Sequence, residues 1–128
     1  MKLLLDTQAF IWWDSEPQRL SQNVLSLLLN PENELILSVV SLWEIQIKSQ
    51  LGKVRLRLPL AELVKSQQEA NNLSILPINP SHVYALDELK PFHKDPFDRM
   101  LIAQSKVENL RLVSNDEILK KYPIEIEW

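Results

Sequence analysis

Four carboxylates in this chain occupy positions that solubility alone does not explain: Asp6, Glu44, Asp98 and Asp116. Asp6 follows the apolar run Leu3-Leu4-Leu5, and Asp116 closes Ser114-Asn115-Asp116 just past Leu110-Arg111-Leu112-Val113. Glu44 falls in a helical run whose apolar residues Val40, Trp43, Ile47 and Leu51 recur at spacings of three and four. It shares the azimuth of Leu51 to within about 20°. Asp98 points between Leu101 and Ile102 on its own helix. An acid flanked by apolar side chains must be paired, hydrogen-bonded or metal-bound, because burying a bare charge is costly. Four uncompensated carboxylates in one cleft would repel strongly, and a divalent cation relieves that repulsion. Oxygen-only ligands suit hard ions such as Mg²⁺ or Mn²⁺. Such an ion, held by a few carboxylates, serves phosphodiester cleavage by activating a water and neutralising developing charge. The residues themselves therefore point to metal-dependent phosphoryl transfer.

Each acid also has a plainer reading, which stays open at this point. Asp95-Pro96 is a helix start, with Asp as N-cap and Pro at the first helical position, where a missing N–H costs nothing. Asp98 then stands at N3, where an acid answers the cap and the helix dipole. Asp6 and Asp116 also precede helical stretches and can cap them, and Glu44 can pair with a Lys or Arg.

The elements that must position these acids alternate between strand and helix. Lys2 to Leu5 reads as a strand buried on both faces, followed by a short helix over residues 8–13. Ser21 caps a helix through about Leu29, and Glu34 to Ser38 reads as a second strand. A helix from about Val39 to Leu51 stops at Gly52, and Pro59 opens another through about Asn71. Leu73 to Pro77 is a third strand, Ser81 to Leu89 a helix, and Pro91 to Lys94 a linker into the helix over residues 96–109. Leu110 to Val113 is a fourth strand, followed by a short helical turn through Lys121. Ile124 to Trp128 alternates as an edge strand does. This is the pattern of an α/β fold with a short, largely parallel sheet flanked by helices, in which strand carboxyl ends form the ligand-binding edge. With no repeat, low-complexity tract or linker, residues 1–128 read as a single domain.

Composition narrows the chemistry. The chain has 128 residues, 45% apolar and 24% charged, ordinary values for one globular domain. Its single glycine excludes a Walker A loop and a dinucleotide-binding fingerprint, so phosphate chemistry must use side chains or metal. It has no cysteine, hence no disulfide, thiolate metal site or thiol nucleophile. A net charge of −3 argues against a dedicated DNA-binding module. No apolar run approaches the roughly 20 residues that span a bilayer, and no signal-peptide pattern precedes Asp6; a cytoplasmic location is expected.

Four stretches carry a family resemblance: Leu4-Leu5-Asp6-Thr7 with Trp12-Trp13; Ser38-Val39-Val40-Ser41-Leu42-Trp43-Glu44-Ile45; His93-Lys94-Asp95-Pro96-Phe97-Asp98-Arg99 through Gln104; and Leu112-Val113-Ser114-Asn115-Asp116 with the tail from Tyr122 to Trp128. In this order they resemble the PIN-domain family, specifically VapC-like toxins of type II toxin–antitoxin modules. The resemblance implies a PIN-like three-layer fold and a Mg²⁺- or Mn²⁺-dependent endoribonuclease. It implies Asp6 and Asp98 as principal metal ligands, Glu44 holding metal or orienting the water, and Asp116 completing the site. It further implies RNA as substrate, a small antitoxin that wraps the chain and blocks the site, and a homodimer. Gln8 stands where many relatives carry His, and Ser114 where Thr is commoner; the hydroxyl is kept. Two readings compete with the ribonuclease: a structure-specific DNA nuclease on the same fold, and a catalytically silent binding module whose acids are caps and ion pairs.

Other residues fit around this reading. Arg99 is expected to pair with a site carboxylate or reach substrate phosphate. Lys48, Lys53, Arg55 and Arg57 cluster after the Glu44 helix and are the candidate RNA track, against the default of a solvated face. Trp12, Trp13 and Trp43 are expected in the core or in an antitoxin groove. His82 and His93 are not spaced with the acids, so neither is expected as a ligand or general base.

Overall fold

The computed structural model describes residues 1–128. The run Lys2–Leu5 forms β1, and α1 (Thr7–Ser15) starts one residue later. A turn of 3₁₀ helix at Pro17–Arg19 leads to α2 (Gln22–Leu29), β2 (Glu34–Ser38), α3 (Val39–Gln50), α4 (Leu60–Asn71), β3 (Ser74–Leu76) and α5 (Pro80–Ala85). Then come α6 (Pro96–Glu108), β4 (Arg111–Val113), a 3₁₀ segment at Glu117–Lys121 and β5 (Ile126–Glu127). The strands form one five-stranded sheet in the order β3-β2-β1-β4-β5, and every pairing is parallel.

β1 is central because Leu3, Leu4 and Leu5 have no polar face to offer water, and all three are fully buried. Successive side chains leave a strand on opposite faces. Leu3, Leu5, Leu35 and Leu37 accordingly pack with Phe10, Val24, Leu28 and Leu63 on one side. Leu4, Ile36 and Leu112 pack with Leu101, Ile102 and Ala103 of α6 on the other. α3 joins both layers, Ile45 in the first and Val40 in the second. The result is the α/β arrangement with a parallel sheet expected from the alternating pattern, in the three layers that the resemblance implies.

The register places the site. Leu5 is level with Leu37 on β2 and with Val113 on β4. Asp6, Ser38 and Ser114 therefore leave three adjacent strands at the same edge. The strand order departs in both directions from β1, so this edge is also where a parallel sheet opens a crevice at its carboxyl ends.

Two local expectations change. The helix expected over 81–89 is α5 followed by a 3₁₀ turn at Leu86–Glu88. The Leu86 carbonyl accepts the closing 3₁₀ bond from the Leu89 N–H at 3.2 Å, and the Leu86 and Leu89 carbonyls each accept from the Arg99 guanidinium at 3.4 Å. On α3, the buried face is Val40, Ser41, Glu44 and Ile45, not the stripe Val40, Trp43, Ile47 and Leu51. Trp43 is 59% exposed and Leu51 63% exposed. The helix presents its Ser41 and Glu44 side to α1, where Thr7 hydrogen-bonds both side chains. Trp43 lies edge-on to Phe97 of α6, with ring centroids 5.3 Å apart.

Helix ends follow local chemistry. Ser21 and Asp95 accept backbone N–H bonds at the starts of α2 and α6, as expected. α4 and α6 end in left-handed residues, Asn72 (φ 57°) and Asn109 (φ 54°). A side chain with a Cβ is strained there, and Asn tolerates it better than Ala. Asn109→Ala should lower the unfolding free energy by about 1 kcal/mol, and Asn109→Gly should not. Urea titration of the two variants beside the parent checks this; an Ala variant as stable as the Gly variant would contradict it.

Candidate metal centre

Asp6, Glu44, Asp98 and Asp116 all line one cleft of about 260 Å³, together with Thr7, Lys48 and Asp95. The Asp6 N–H donates to the Val113 carbonyl at 3.0 Å, which continues the β1–β4 ladder and fixes where this carboxylate starts. Its Oδ1 then accepts from the Ala9 N–H at 2.7 Å as the N-cap of α1. Asp116 behaves alike: Oδ1 accepts from the Ile118 N–H at 2.9 Å, and Oδ2 turns to the cleft. Capping and site membership are thus not alternatives. For these two acids, one oxygen caps and the other remains for the cleft. Asp95 spends its Oδ1 on the Phe97 and Asp98 N–H groups, which starts α6 and leaves Asp98 in its first turn.

Glu44 is 5% exposed, and both its oxygens are engaged. Thr7 donates its hydroxyl to Oε1 at 2.6 Å, and the Lys48 ammonium lies 2.6 Å from Oε2. Since the single Thr7 proton goes to the carboxylate, the Ser41 hydroxyl at 3.0 Å is the donor to Thr7 Oγ1. The Glu44 bond, followed by the charges of Glu44, Asp95 and Asp98, raises the Lys48 pKa and keeps this ammonium charged. The Lys pairing anticipated for Glu44 is therefore present within the cleft itself.

Two of the acids are disfavoured as anions, chiefly by burial. Burial pushes the Asp6 carboxyl up to about 6, with the charges of Glu44 and Asp116 adding to it; hydrogen bonds from Ser114 and Ala9 pull the other way. Burial also pushes Asp98 up to about 7, with Asp95, Glu44 and Asp6 raising it further and His93 opposing. Ser114 is fully buried, and its Oγ also accepts from the Asp116 N–H at 3.1 Å. One hydroxyl thereby touches both strand-end acids.

His93 belongs to this cluster, against the expectation from spacing. Its Nε2 lies 2.9 Å from Asp98 Oδ2 and 3.2 Å from Asp116 Oδ2. One ligand atom from each of these three residues fits within 4.8 Å of the others. The only signal in the sequence is that His93 opens the same run as Asp95 and Asp98. His82 stays apart as expected: it is fully buried, with Nε2 at 2.8 Å from Glu108.

Arg99 does not take the place foreseen for it. One residue on from Asp98, it is turned about 100° away from the cleft. Its Nη1 donates to the Lys90 carbonyl (3.1 Å), the His93 carbonyl (3.4 Å) and Tyr122 Oη (3.3 Å), and Nη2 to the Leu86 and Leu89 carbonyls. The guanidinium fastens a loop and pairs with no carboxylate. Of the basic cluster, Lys48 lies in the cleft, Arg57 is held by Asp14 at 2.9 Å, and Lys53 and Arg55 are exposed without an ion pair. Trp12 packs on Trp128 at 6.0 Å, both on the cleft wall, and the Arg19 guanidinium sits over Trp12 at 5.1 Å.

Comparison with known proteins places this geometry. Residues 3–125 match the family model of the PIN domain. The chain belongs to the PIN-domain family. Among curated PIN relatives, it is 30% identical to Ribonuclease VapC22 of Mycobacterium tuberculosis over 121 residues, which covers 94% of this chain and 91% of that protein. Its fold is similar to VapBC2 from Rickettsia felis, solved bound to a DNA fragment from their promoter, with a TM-score of 0.75 and 18% identity over 99% of this chain and 98% of that one. It is also similar to DNA-bound VapBC from Salmonella typhimurium, with a TM-score of 0.72 and 18% identity over 99% and 97% of the two chains. Within the PIN family the chain is VapC-like.

The raised carboxyls set a sign for pH. Between about pH 4 and 7 the folded chain holds protons on Asp6 and Asp98 that the unfolded chain has released. The contribution of these carboxyls to stability is therefore full below pH 4 and lost as pH rises through 6 to 7. In EDTA, Asp98→Asn should raise the melting temperature at pH 8 by on the order of 5 °C, and the gain should shrink toward pH 4. Parallel melting curves across pH would show that Asp98 carries no such strain.

Proposed function

We propose that this chain is a metal-dependent endoribonuclease, the toxin of a type II toxin–antitoxin module, which cleaves RNA phosphodiester bonds in the cytoplasm. Residues 1–128 form its single ribonuclease domain on this reading. The observation that carries it is the convergence of Asp6, Asp98 and Asp116 at the carboxyl edge of the sheet, with two of the three carboxyls disfavoured as anions. The likeness to a protein named Ribonuclease VapC22 supports RNA as the substrate.

The donor set fits a hard divalent cation. It is rich in carboxylate oxygen and holds no arginine, and its crowded negative charge is what such a cation offsets. Asp6, Asp98 and Asp116 would hold Mg²⁺ or Mn²⁺, with Glu44 beside them. Bound there, the ion supplies a Lewis acid that acidifies water and offsets charge on the phosphate. The protein's own groups do the remainder. Thr7 and Lys48 hold the Glu44 carboxylate in the cleft. Ser114 orients Asp6 and the Asp116 backbone. The half-exposed Lys48 ammonium can receive a phosphate oxygen, and Lys53 and Arg55 extend the positive track for the strand. Arg57 belongs to that track only after release from Asp14.

A small antitoxin partner is part of the proposal, supported by the VapBC assemblies in which the structural relatives were solved. A homodimer is also part of it. Val83, Tyr84 and Val107 are exposed apolar side chains, with Tyr84 at 74%, and such side chains suit self-association.

Asp98→Asn should reduce Mg²⁺-dependent RNA cleavage and growth inhibition by at least 100-fold while the far-UV circular dichroism spectrum is kept. Full activity in the folded variant would remove Asp98 from the mechanism. Lys53→Glu combined with Arg55→Glu should weaken RNA binding and flatten its dependence on salt, read by fluorescence anisotropy between 50 and 200 mM salt. Unchanged affinity and slope would place the RNA elsewhere.

A further inference from the structure

His93 lies against two of the cleft acids, Asp98 and Asp116, and the sequence pattern does not account for it. Its backbone is held from both sides. The His93 N–H donates to Tyr122 Oη at 2.9 Å, and its carbonyl accepts from Arg99 at 3.4 Å. The Tyr122 hydroxyl in turn donates to the Lys90 carbonyl at 2.7 Å, and Arg99 reaches that same carbonyl. Phe92 packs edge-on against Tyr122, with centroids 5.2 Å apart. The loop from Leu86 to Asp95 is therefore fastened to α6 and to the segment before β5, and the imidazole is aimed by that framework.

The ring's tautomer follows from one bond. The Asp95 N–H points at Nδ1 at 3.2 Å, so Nδ1 must accept. In the neutral ring the proton then sits on Nε2, and that N–H faces Asp98 Oδ2 and Asp116 Oδ2 together. A protonated Nε2 cannot ligate a cation, although its position beside two carboxylates resembles that of a ligand. It can do what a hydrogen bond to a ligating carboxylate does: fix the oxygen's position before the ion arrives.

We propose that His93 is a positioning residue for the candidate metal centre, whose Nε2–H bridges Asp98 and Asp116 and holds these two carboxylates in binding geometry. This rests on the metal-dependent reading above. Asp98 comes from a helix start and Asp116 from beyond a strand end, so the two carboxylates reach the cleft on side chains of separate elements that need a common reference. The bridge supplies it. The DPFDR run thereby has a division of work: Asp95 caps the helix and sets the ring's tautomer, Asp98 offers the carboxylate, and Arg99 fastens the loop that brings the imidazole.

The test separates the two ring nitrogens. In His93→Asn, the side-chain carbonyl can still accept from the Asp95 N–H, but nothing reaches the carboxylates. In His93→Gln, the longer amide restores a donor near the Nε2 position. Mn²⁺ binding to the full chain is measured by calorimetry, with circular dichroism verifying the fold. Asn should weaken Mn²⁺ binding by about 10- to 100-fold, and Gln should recover most of the loss. Pulsed electron paramagnetic resonance of the Mn²⁺-loaded parent should show no directly coordinated imidazole nitrogen. Parent-like affinity in folded His93→Asn would overturn the proposal, as would a failure of Gln to recover binding. A directly bound nitrogen signal that vanishes in both variants would make His93 a ligand instead, and also overturns it. A parent chain that binds no Mn²⁺ overturns the metal reading itself, which is a different result from unequal variants of a binding parent.

Discussion

Repulsion between carboxylates is the constraint on which this structure turns. Asp6, Glu44, Asp98 and Asp116 are brought to one edge of a sheet whose interior is leucine, isoleucine and valine. Like charges in a low-dielectric cleft are held together only if other groups offset them. The offsets here are assigned acid by acid. Thr7 and Lys48 serve Glu44, the Ala9 N–H and Ser114 serve Asp6, the Ile118 N–H serves Asp116, and His93 serves Asp98 and Asp116. Burial, with neighbouring charges adding to it, still pushes the Asp6 and Asp98 carboxyls up.

The parallel sheet makes this concentration possible at small cost in chain. β1 and β4 end at the same edge, and the helical segments that follow begin there, so the acids that cap them, Asp6 and Asp116, are already at the cleft. N-capping uses one carboxylate oxygen and leaves the other. Aspartates that start helical segments at this edge thereby also present carboxylate oxygens to the cleft. Local folding chemistry and site chemistry are carried by the two oxygens of one side chain.

Legibility from sequence follows range. The buried strand Leu3-Leu4-Leu5, the Asp95-Pro96 start and the Ser21 cap were readable because their causes lie within a few residues. Glu44 stands out in the sequence through a stripe that the helix does not bury. Trp43 and Leu51 face outward, while two small polar contacts, Thr7 and Ser41, decide which way α3 turns. The anchoring of Arg99 and the approach of His93 to the acids are not legible in the sequence, for one shared reason. Arg99 spends its donors on backbone carbonyls, which every residue possesses and no pattern reveals. The loop it gathers is what carries His93 to the acids.

The pairing of β1 with β4 has a consequence for the order of events in synthesis. Leu3 finds one of its strand partners in Arg111, almost the whole chain away, and Asp6 finds its neighbour Asp116 equally late. Contacts of such sequence separation form after local ones, and not before both ends exist. A growing chain can pair β1 with β2 while still on the ribosome, yet it lacks the second half of its acids and the strand that holds them level. The cleft is complete only once residues 111–116 have joined β1, so its assembly waits on the pairing of greatest sequence separation in the sheet.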